Sequence, residues 1–271
     1  MIKLGLVGEK LGHSLSPKIH GYILKNIGVE GEYALYEFSK SQSNHILEGM
    51  IENRVTGFNV TVPYKEVFFD KLDWVSKEAQ EIGAVNTVVI KDFKSYGYNT
   101  DYYGVFKIFE KCKINVEGKT CYILGSGGAA KSVIVALKDL KAKKIVVVSR
   151  EPNKILDIFN GKFPYVEVVN YDKIEGGDII INTTPVGMFP NVDKTPVEKE
   201  VIKNFKVAID LIYNPNKTKF LQIASECGLT IENGLSMLIK QAIKAQEIWQ
   251  DMKFDGDLYC KLENYLLEEK I

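Results

Sequence analysis

Residues 120–148 constrain the fold of this 271-residue chain more than any other stretch. Residues 121–124 are an apolar strand, Gly125 to Gly128 form a glycine turn, a helical period then runs through Leu140, and residues 145–148 are a second strand. That order and spacing predict a βαβ unit, two parallel strands joined by a helix. Apolar runs at residues 2–7, 166–169, 178–182 and 207–212 alternate with segments of helical period. The whole is expected to be an α/β protein with a largely parallel sheet. Its length exceeds the usual size of one hydrophobic core, so two domains are expected.

The turn reads Gly125-Ser126-Gly127-Gly128-Ala129-Ala130, which fits Gly-x-Gly-x-x-Gly/Ala with Ala130 in the third small position. Between a strand and a helix, such glycines let a pyrophosphate approach the backbone while the helix start offers free N–H donors. A tight turn that binds nothing is the plain alternative, and the βαβ setting favours the dinucleotide. The second strand ends in Ser149-Arg150-Glu151-Pro152-Asn153-Lys154, where such units approach the adenosine ribose. A carboxylate there selects NAD, whereas a cation accommodates a 2′-phosphate. Arg150 and Lys154 point to NADP(H), with Glu151 opposing if its side chain faces the phosphate.

In the first hundred residues, Ser16-Pro17 reads as a helix start with a hydroxyl cap and a proline at the first helical position. Ile19, Tyr22, Ile23 and Ile27 form its apolar stripe, and Gly28 stands where a left-handed stop belongs. Residues 57–62 read as a strand with Phe58, Val60 and Val62 on one face, Asn59 and Thr61 on the other, and Pro63 ending it. Residues 84–90 and 95–99 resemble a strand pair around a turn, and Asp101 starts a helix carrying Val105, Ile108 and Phe109. Three polar clusters follow apolar runs: Asn59 to Lys65, Asn86-Thr87, and Asn99-Thr100-Asp101. Lys65 falls just past a strand's carboxyl end, where open α/β sheets bind ligands. Taken singly each cluster is more often a cap or turn; together they suit one polyhydroxylated ligand. Beyond Gly234 the chain reads as two amphipathic helices that periodicity assigns to neither domain.

Lys+Arg and Asp+Glu balance at 35 each, which argues against a nucleic-acid or anionic-membrane partner. No apolar run approaches the length of a membrane span. Cys112, Cys121, Cys227 and Cys260 form no Cys-x-x-Cys pair, and His13, His20 and His45 show no zinc spacing, so neither a metal nor a disulfide framework is expected. Without a secretory-type start, the expected location is cytoplasmic.

The chain resembles the shikimate dehydrogenase family, which interconverts 3-dehydroshikimate and shikimate in aromatic amino-acid biosynthesis. The likeness covers nearly the whole length: Ser14-Leu15-Ser16-Pro17, residues 59–65, Gly83-Ala84-Val85-Asn86-Thr87, Asn99-Thr100-Asp101, and residues 125–130, 182–188, 210–215 and 233–242. It implies an N-terminal α/β substrate-binding and catalytic domain, residues 1–103 with 236–271, and a Rossmann-type NADP-binding domain, residues 104–235, with the active-site cleft between them. It further implies that Ser14 and Ser16 bind a substrate carboxylate, that Thr61, Asn86, Asp101, Tyr213 and Gln241 contact ring hydroxyls, and that Lys65 is the acid/base lysine. Leu211 and Gly234 would line the nicotinamide, with Met188 near its path, while the glycine turn, Ser149, Arg150 and Lys154 hold the rest of NADP(H). The expected partner is a small molecule, and the expected assembly a monomer or homodimer.

The family's NADP members commonly read Asn-Arg-Thr followed by a second arginine, where this chain has Ser149-Arg150-Glu151 and Lys154. Having both Ser14 and Ser16 favours shikimate over quinate. The rivals are an NAD-dependent quinate/shikimate dehydrogenase, a folate-type dehydrogenase of similar plan, and a noncatalytic dinucleotide sensor, which would need neither Lys65 nor Asp101.

Overall fold

The computed structural model describes residues 1–12 and 14–269, so His13 lies outside the described residues. The chain divides into two compact units, one of Met1–Tyr103 with Ile239–Glu269 and one of Gly104–Leu238. In chain order the first unit holds β1 (Ile2–Gly8), α1 (Ser16–Asn26), β2 (Gly31–Glu37), α2 (Ile46–Glu52), β3 (Gly57–Val60), β4 (Trp74–Val75), α3 (Lys77–Ile82), β5 (Thr87–Lys91), β6 (Lys94–Tyr98) and the first turn of α4 (Thr100–Lys111). The second holds β7 (Thr120–Leu124), α5 (Gly128–Asp139), β8 (Lys144–Val148), α6 (Pro152–Lys162), β9 (Val166–Val169), β10 (Ile179–Asn182), α7 (Lys199–Ile202), β11 (Val207–Asp210), α8 (Lys219–Glu226) and β12 (Thr230–Glu232). From Ile239 onward, α9 (Leu235–Gln250) and then α10 (Gly256–Glu268) belong to the first unit.

The second unit's sheet runs β12-β11-β10-β7-β8-β9 with every pair parallel. Its central strands β7, β8 and β10 are largely buried runs, as expected where a parallel sheet is covered on both faces. The strand order reverses between β7 and β10, and open α/β sheets bind ligands at such a point. The first unit departs from the expected parallel arrangement. Its order is β2-β1-β3-β5-β6-β4, with β1 parallel to β2 and β3 but β5 antiparallel to both β3 and β6. The β5–β6 hairpin turns on Asp92 and Phe93, both at positive φ (51° and 60°), which matches the twist of the flanking strands.

Local readings at β3 and α1 are corrected. β3 stops at Val60, because the Tyr64 N–H donates to the Thr61 carbonyl at 2.9 Å and closes a turn; Val62 is 74% exposed, not on an apolar face. All four β3 residues are buried between β1 and β5, so Asn59 faces no solvent. At the start of α1 the N-cap is Leu15 with no side-chain bond; the Ser14 hydroxyl, not that of Ser16, accepts from the Ser16 N–H at 3.2 Å. The buried stripe of α1 is Ile19, His20, Ile23 and Leu24, while Tyr22 stacks on Tyr265 of α10 at 4.3 Å. Strand β2 was not anticipated, since Gly31, Glu32 and Glu37 lack strand preference and none of its residues is buried.

Among the described residues no helix is long and apolar enough to cross a membrane, and no three His, Cys, Asp or Glu side chains gather as a metal site. Helix α9 is fixed to its sheet by Trp249, whose indole N–H donates to the Val88 carbonyl at 2.8 Å. That indole lies against Gly57, where a Cβ would overlap the ring. Overpacking of this kind typically costs ~1–3 kcal/mol, so Gly57→Ala should lower stability by about that amount in urea unfolding followed by tryptophan fluorescence. An unchanged midpoint would mean that α9 does not dock there.

Candidate functional site

In the first unit the polar clusters meet at the ends of β3, β5 and β6. Asn86, 3% exposed, precedes β5, and its Oδ1 accepts from the Thr100 N–H (2.7 Å), the Thr87 hydroxyl (2.9 Å) and the Thr100 hydroxyl (3.1 Å). The Asn86 amide nitrogen makes no hydrogen bond among the described residues. Asn59 donates to the Asn86 carbonyl (3.2 Å) and to the Thr87 hydroxyl (3.0 Å), while accepting from the Tyr33 hydroxyl (2.8 Å). Asn59 and Asn99, the latter bonded to the Ala84 carbonyl at 3.0 Å, are thus structural members of clusters expected to face a ligand.

Asp101, next to Thr100 in the first turn of α4, accepts from Lys65 Nζ at 2.7 Å. The two side chains are 12% and 22% exposed. Lys65 is itself held by its backbone, whose carbonyl accepts from the Val85 N–H at 2.8 Å, one residue before Asn86. Thr61 opens the turn that leads to Lys65, its N–H donating to the Val7 carbonyl at 2.9 Å. Lys65, Asp101 and Asn86 are brought together. Ser16 approaches through Tyr33: burial pushes the Tyr33 phenol up, and the Ser16 hydroxyl pulls the other way. His20 stacks flat on Tyr33 at 4.3 Å, and its Nδ1 faces the Gln246 amide at 3.1 Å. Burial lowers its pKa to about 3, against an opposing Asn59 hydrogen bond, so this histidine stays neutral. Gln241 stands, half-buried, on the part of α9 that belongs to this unit.

In the second unit the glycine turn borders a cleft of about 680 Å³. Gly125 has φ of +104°, and a Cβ there would press on Thr183 and Thr184 at 2.9 Å; Gly127 faces open space. No side chain caps α5 behind Gly127, so its first N–H groups remain for an anion. Ala130 is fully buried, the close packing that a small third residue permits. The far wall carries Ser149, Arg150, Glu151, Lys154 and Tyr171. Lys154 forms an ion pair with Glu151 one turn away, so that carboxylate does not stand alone against a phosphate. Tyr171, Thr195 and Pro196 had no signal in the sequence: Tyr171 follows β9, and Thr195 and Pro196 come from the loop between β10 and α7, none of them from a motif.

Leu211 and Gly234 lie together, since a Cβ on Gly234 would overlap the Leu211 carbonyl, but they do not line this cleft. Tyr213 belongs to the same unit, its phenol pushed up by burial. Asp210, unexposed and at the end of β11, accepts from the Thr218 hydroxyl (2.6 Å), the Asn182 amide (3.0 Å) and the Ile212 N–H (3.1 Å). Asn182 in turn accepts from the Thr184 N–H (3.0 Å) and hydroxyl (2.7 Å), so one network links the cleft wall to the loop bearing Tyr213.

A six-stranded parallel sheet with a glycine turn at its reversal point, and a separate mixed sheet carrying a lysine–aspartate pair, define a two-unit dinucleotide-dependent oxidoreductase. The comparisons agree. Residues 6–88 match the shikimate dehydrogenase substrate binding domain. A shikimate dehydrogenase (NADP(+)) of Clostridium perfringens is 49% identical over 264 residues, 96% of this chain and 97% of that one. The crystal structure of shikimate dehydrogenase 1 from Peptoclostridium difficile is 42% identical with a TM-score of 0.92, covering 100% of both chains. The Thermus thermophilus shikimate 5-dehydrogenase, solved in complex with NADP(H) and shikimate, is 30% identical with a TM-score of 0.86, covering 98% of this chain and 99% of that one. The chain belongs to the shikimate dehydrogenase family.

Burial raises the Asp210 carboxyl from 3.8 to about 6, against the hydrogen bonds from Thr218, Ile212 and Asn182. A folded-state pKa above the unfolded value means that this group's contribution to stability is full below pH 3.8 and is lost as pH rises through about 6. Asp210→Asn cannot ionise, so it should gain on the parent protein by up to about 3 kcal/mol between pH 4 and 7 in urea unfolding. A difference that does not move with pH would show that Asp210 carries no such burden.

Proposed function

We propose that this chain catalyses the NADP-dependent, reversible reduction of 3-dehydroshikimate to shikimate, a step of aromatic amino-acid biosynthesis. The observation that carries the reading is the Lys65–Asp101 pair beside the open amide donors of Asn86, in the unit whose early residues match the family's substrate-binding domain. Bound NADPH supplies a hydride equivalent. Carbonyl reduction also needs a proton at oxygen, delivered by a positioned acid as negative charge develops there. Lys65 holds that proton on Nζ, and Asp101 fixes the direction in which Nζ points while accepting from a ring hydroxyl. Asn86 and Thr61 orient the ring, and Ser14 and Ser16 donate to its carboxylate near the start of α1. Gln241 and Tyr213 are assigned to ring hydroxyls, Leu211 and Gly234 to the nicotinamide.

The residues at the glycine turn fit the cofactor: the open face of Gly127 and the uncapped start of α5 suit a diphosphate, and Arg150 suits a 2′-phosphate. The direct test is shikimate-dependent reduction of NADP, followed by absorbance, with quinate and NAD in parallel. Shikimate with NADP should be fastest, and absence of turnover in all four combinations would end the reading. Positioned proton transfer is usually worth ~10² to 10⁴ in rate, so Lys65→Ala should lower kcat at least about 10²-fold with little change in KM. Turnover near the parent's would remove Lys65 from that role. A hydrogen bond to a charged group is worth ~1.5–3 kcal/mol, so Arg150→Ala should raise the NADP KM by about ten- to a hundredfold and leave NAD nearly unchanged. Equal losses with both cofactors would mean that Arg150 only packs on the adenine.

A further inference from the structure

We propose that the Tyr171 hydroxyl donates a hydrogen bond to the 2′-phosphate of the bound dinucleotide, making Tyr171 a residue that selects NADP over NAD alongside Arg150. The inference rests on the NADP reading above and starts from strand register. Strands β8 and β9 end in step, with Val148 paired to Val169 and the Ser149 N–H donating to the Val169 carbonyl at 3.0 Å. Arg150 and Tyr171 therefore stand at equivalent places, two residues past the paired strand ends, and both line the same cleft.

The Tyr171 backbone N–H donates to Asn170 Oδ1 at 2.7 Å, and the ring packs against the core that contains Val146 and Val148. A ring held this way presents a donor at low entropic cost. Its hydroxyl has no hydrogen-bond partner among the described residues. Burial pushes the phenol up while Arg150 pulls it the other way, as expected of a neutral donor standing near a guanidinium. The cleft, about 680 Å³, has room for this partner, and with Lys154 paired to Glu151, Arg150 is the cation on this wall with no ion pair among the described residues. A phosphate monoester carries three acceptor oxygens and a bond to it is charge-assisted, whereas a ribose hydroxyl offers a weaker, neutral acceptor.

The test needs no turnover. Calorimetric titration of the full chain with adenosine 2′,5′-bisphosphate and with 5′-AMP separates the phosphate from the rest of the adenosine. Tyr171→Phe keeps the ring and removes the donor; it should weaken the bisphosphate about tenfold and leave 5′-AMP unchanged, and the NADP KM should rise by a similar factor with kcat and the NAD KM unaltered. Unchanged bisphosphate binding in Tyr171→Phe overturns the proposal, as does an equal loss of both ligands. If Tyr171→Ala weakens both ligands while Tyr171→Phe weakens neither, the ring is only an adenine platform and the proposal falls. A parent protein that does not prefer the bisphosphate to 5′-AMP overturns the NADP reading itself, an outcome distinct from the failure of Tyr171 alone.

Discussion

One amide oxygen, Asn86 Oδ1, sets the geometry on which the first unit's chemistry depends. Strand ends and helix starts both leave backbone donors without ladder partners, and a buried donor must find one. Asn86 supplies it for the first N–H of α4 and takes the hydroxyls of Thr87 and Thr100 as well. With Thr100 pinned, the next residue, Asp101, has little freedom. Lys65 is pinned independently, through its carbonyl and the Val85 N–H. An ion pair between mobile surface chains contributes little. Here the backbone fixes each partner before the pair forms, so what the 2.7 Å contact provides is position rather than stability.

The second unit solves the same problem with a carboxylate. Asn182 and Asp210 are register partners at the ends of β10 and β11, and together they satisfy the N–H groups and hydroxyls of the loops that leave those strands. Thr218, which donates to Asp210, also accepts from the Leu221 N–H and so caps α8. An asparagine at 210 would avoid burying a charge, but it would offer one acceptor oxygen where the Asn182 amide, the Ile212 N–H and the Thr218 hydroxyl now share two. In both sheets, then, a polar side chain at one end of a strand takes over where the ladder stops: Asn86 before β5, and Asn182 and Asp210 at the carboxyl ends of β10 and β11.

Local chemistry made much of this legible in the sequence. A glycine turn flanked by a strand and a helix needs φ above zero at Gly125 and open space at Gly127, and no other residue type meets both needs, so the turn and its parallel sheet could be read directly. Gly28, at φ of 69°, was readable for the same reason of backbone sign, whereas the positive φ of Phe93 had no such signal. What escaped were features set by neighbours distant in sequence. Asn59 looks like the polar face of a half-exposed strand until β1 and β5 enclose it. His20 looks like a solvent-side residue of α1 until Tyr33 and Gln246 cover it. Periodicity assigns a face, but only the sheet order says whether that face meets water.

The ribose end of the cleft shows the same limit for charge. Reading along the chain, Glu151 stands beside Arg150 and counts against a phosphate. In the fold its carboxylate turns to Lys154, an i,i+3 neighbour on α6, and its N–H donates to the Ser149 hydroxyl. The pair is largely exposed, at 72% and 62%, so holding it together contributes little and a doubly charged ligand can compete for the lysine. Whether Lys154 stays with Glu151 or turns to the ligand, one net positive charge remains on this wall, and it is carried by side chains that all follow β8. Cofactor choice at such a site follows from which charges survive local pairing, a property of the folded wall that no single position in the Ser149-Arg150-Glu151 run decides.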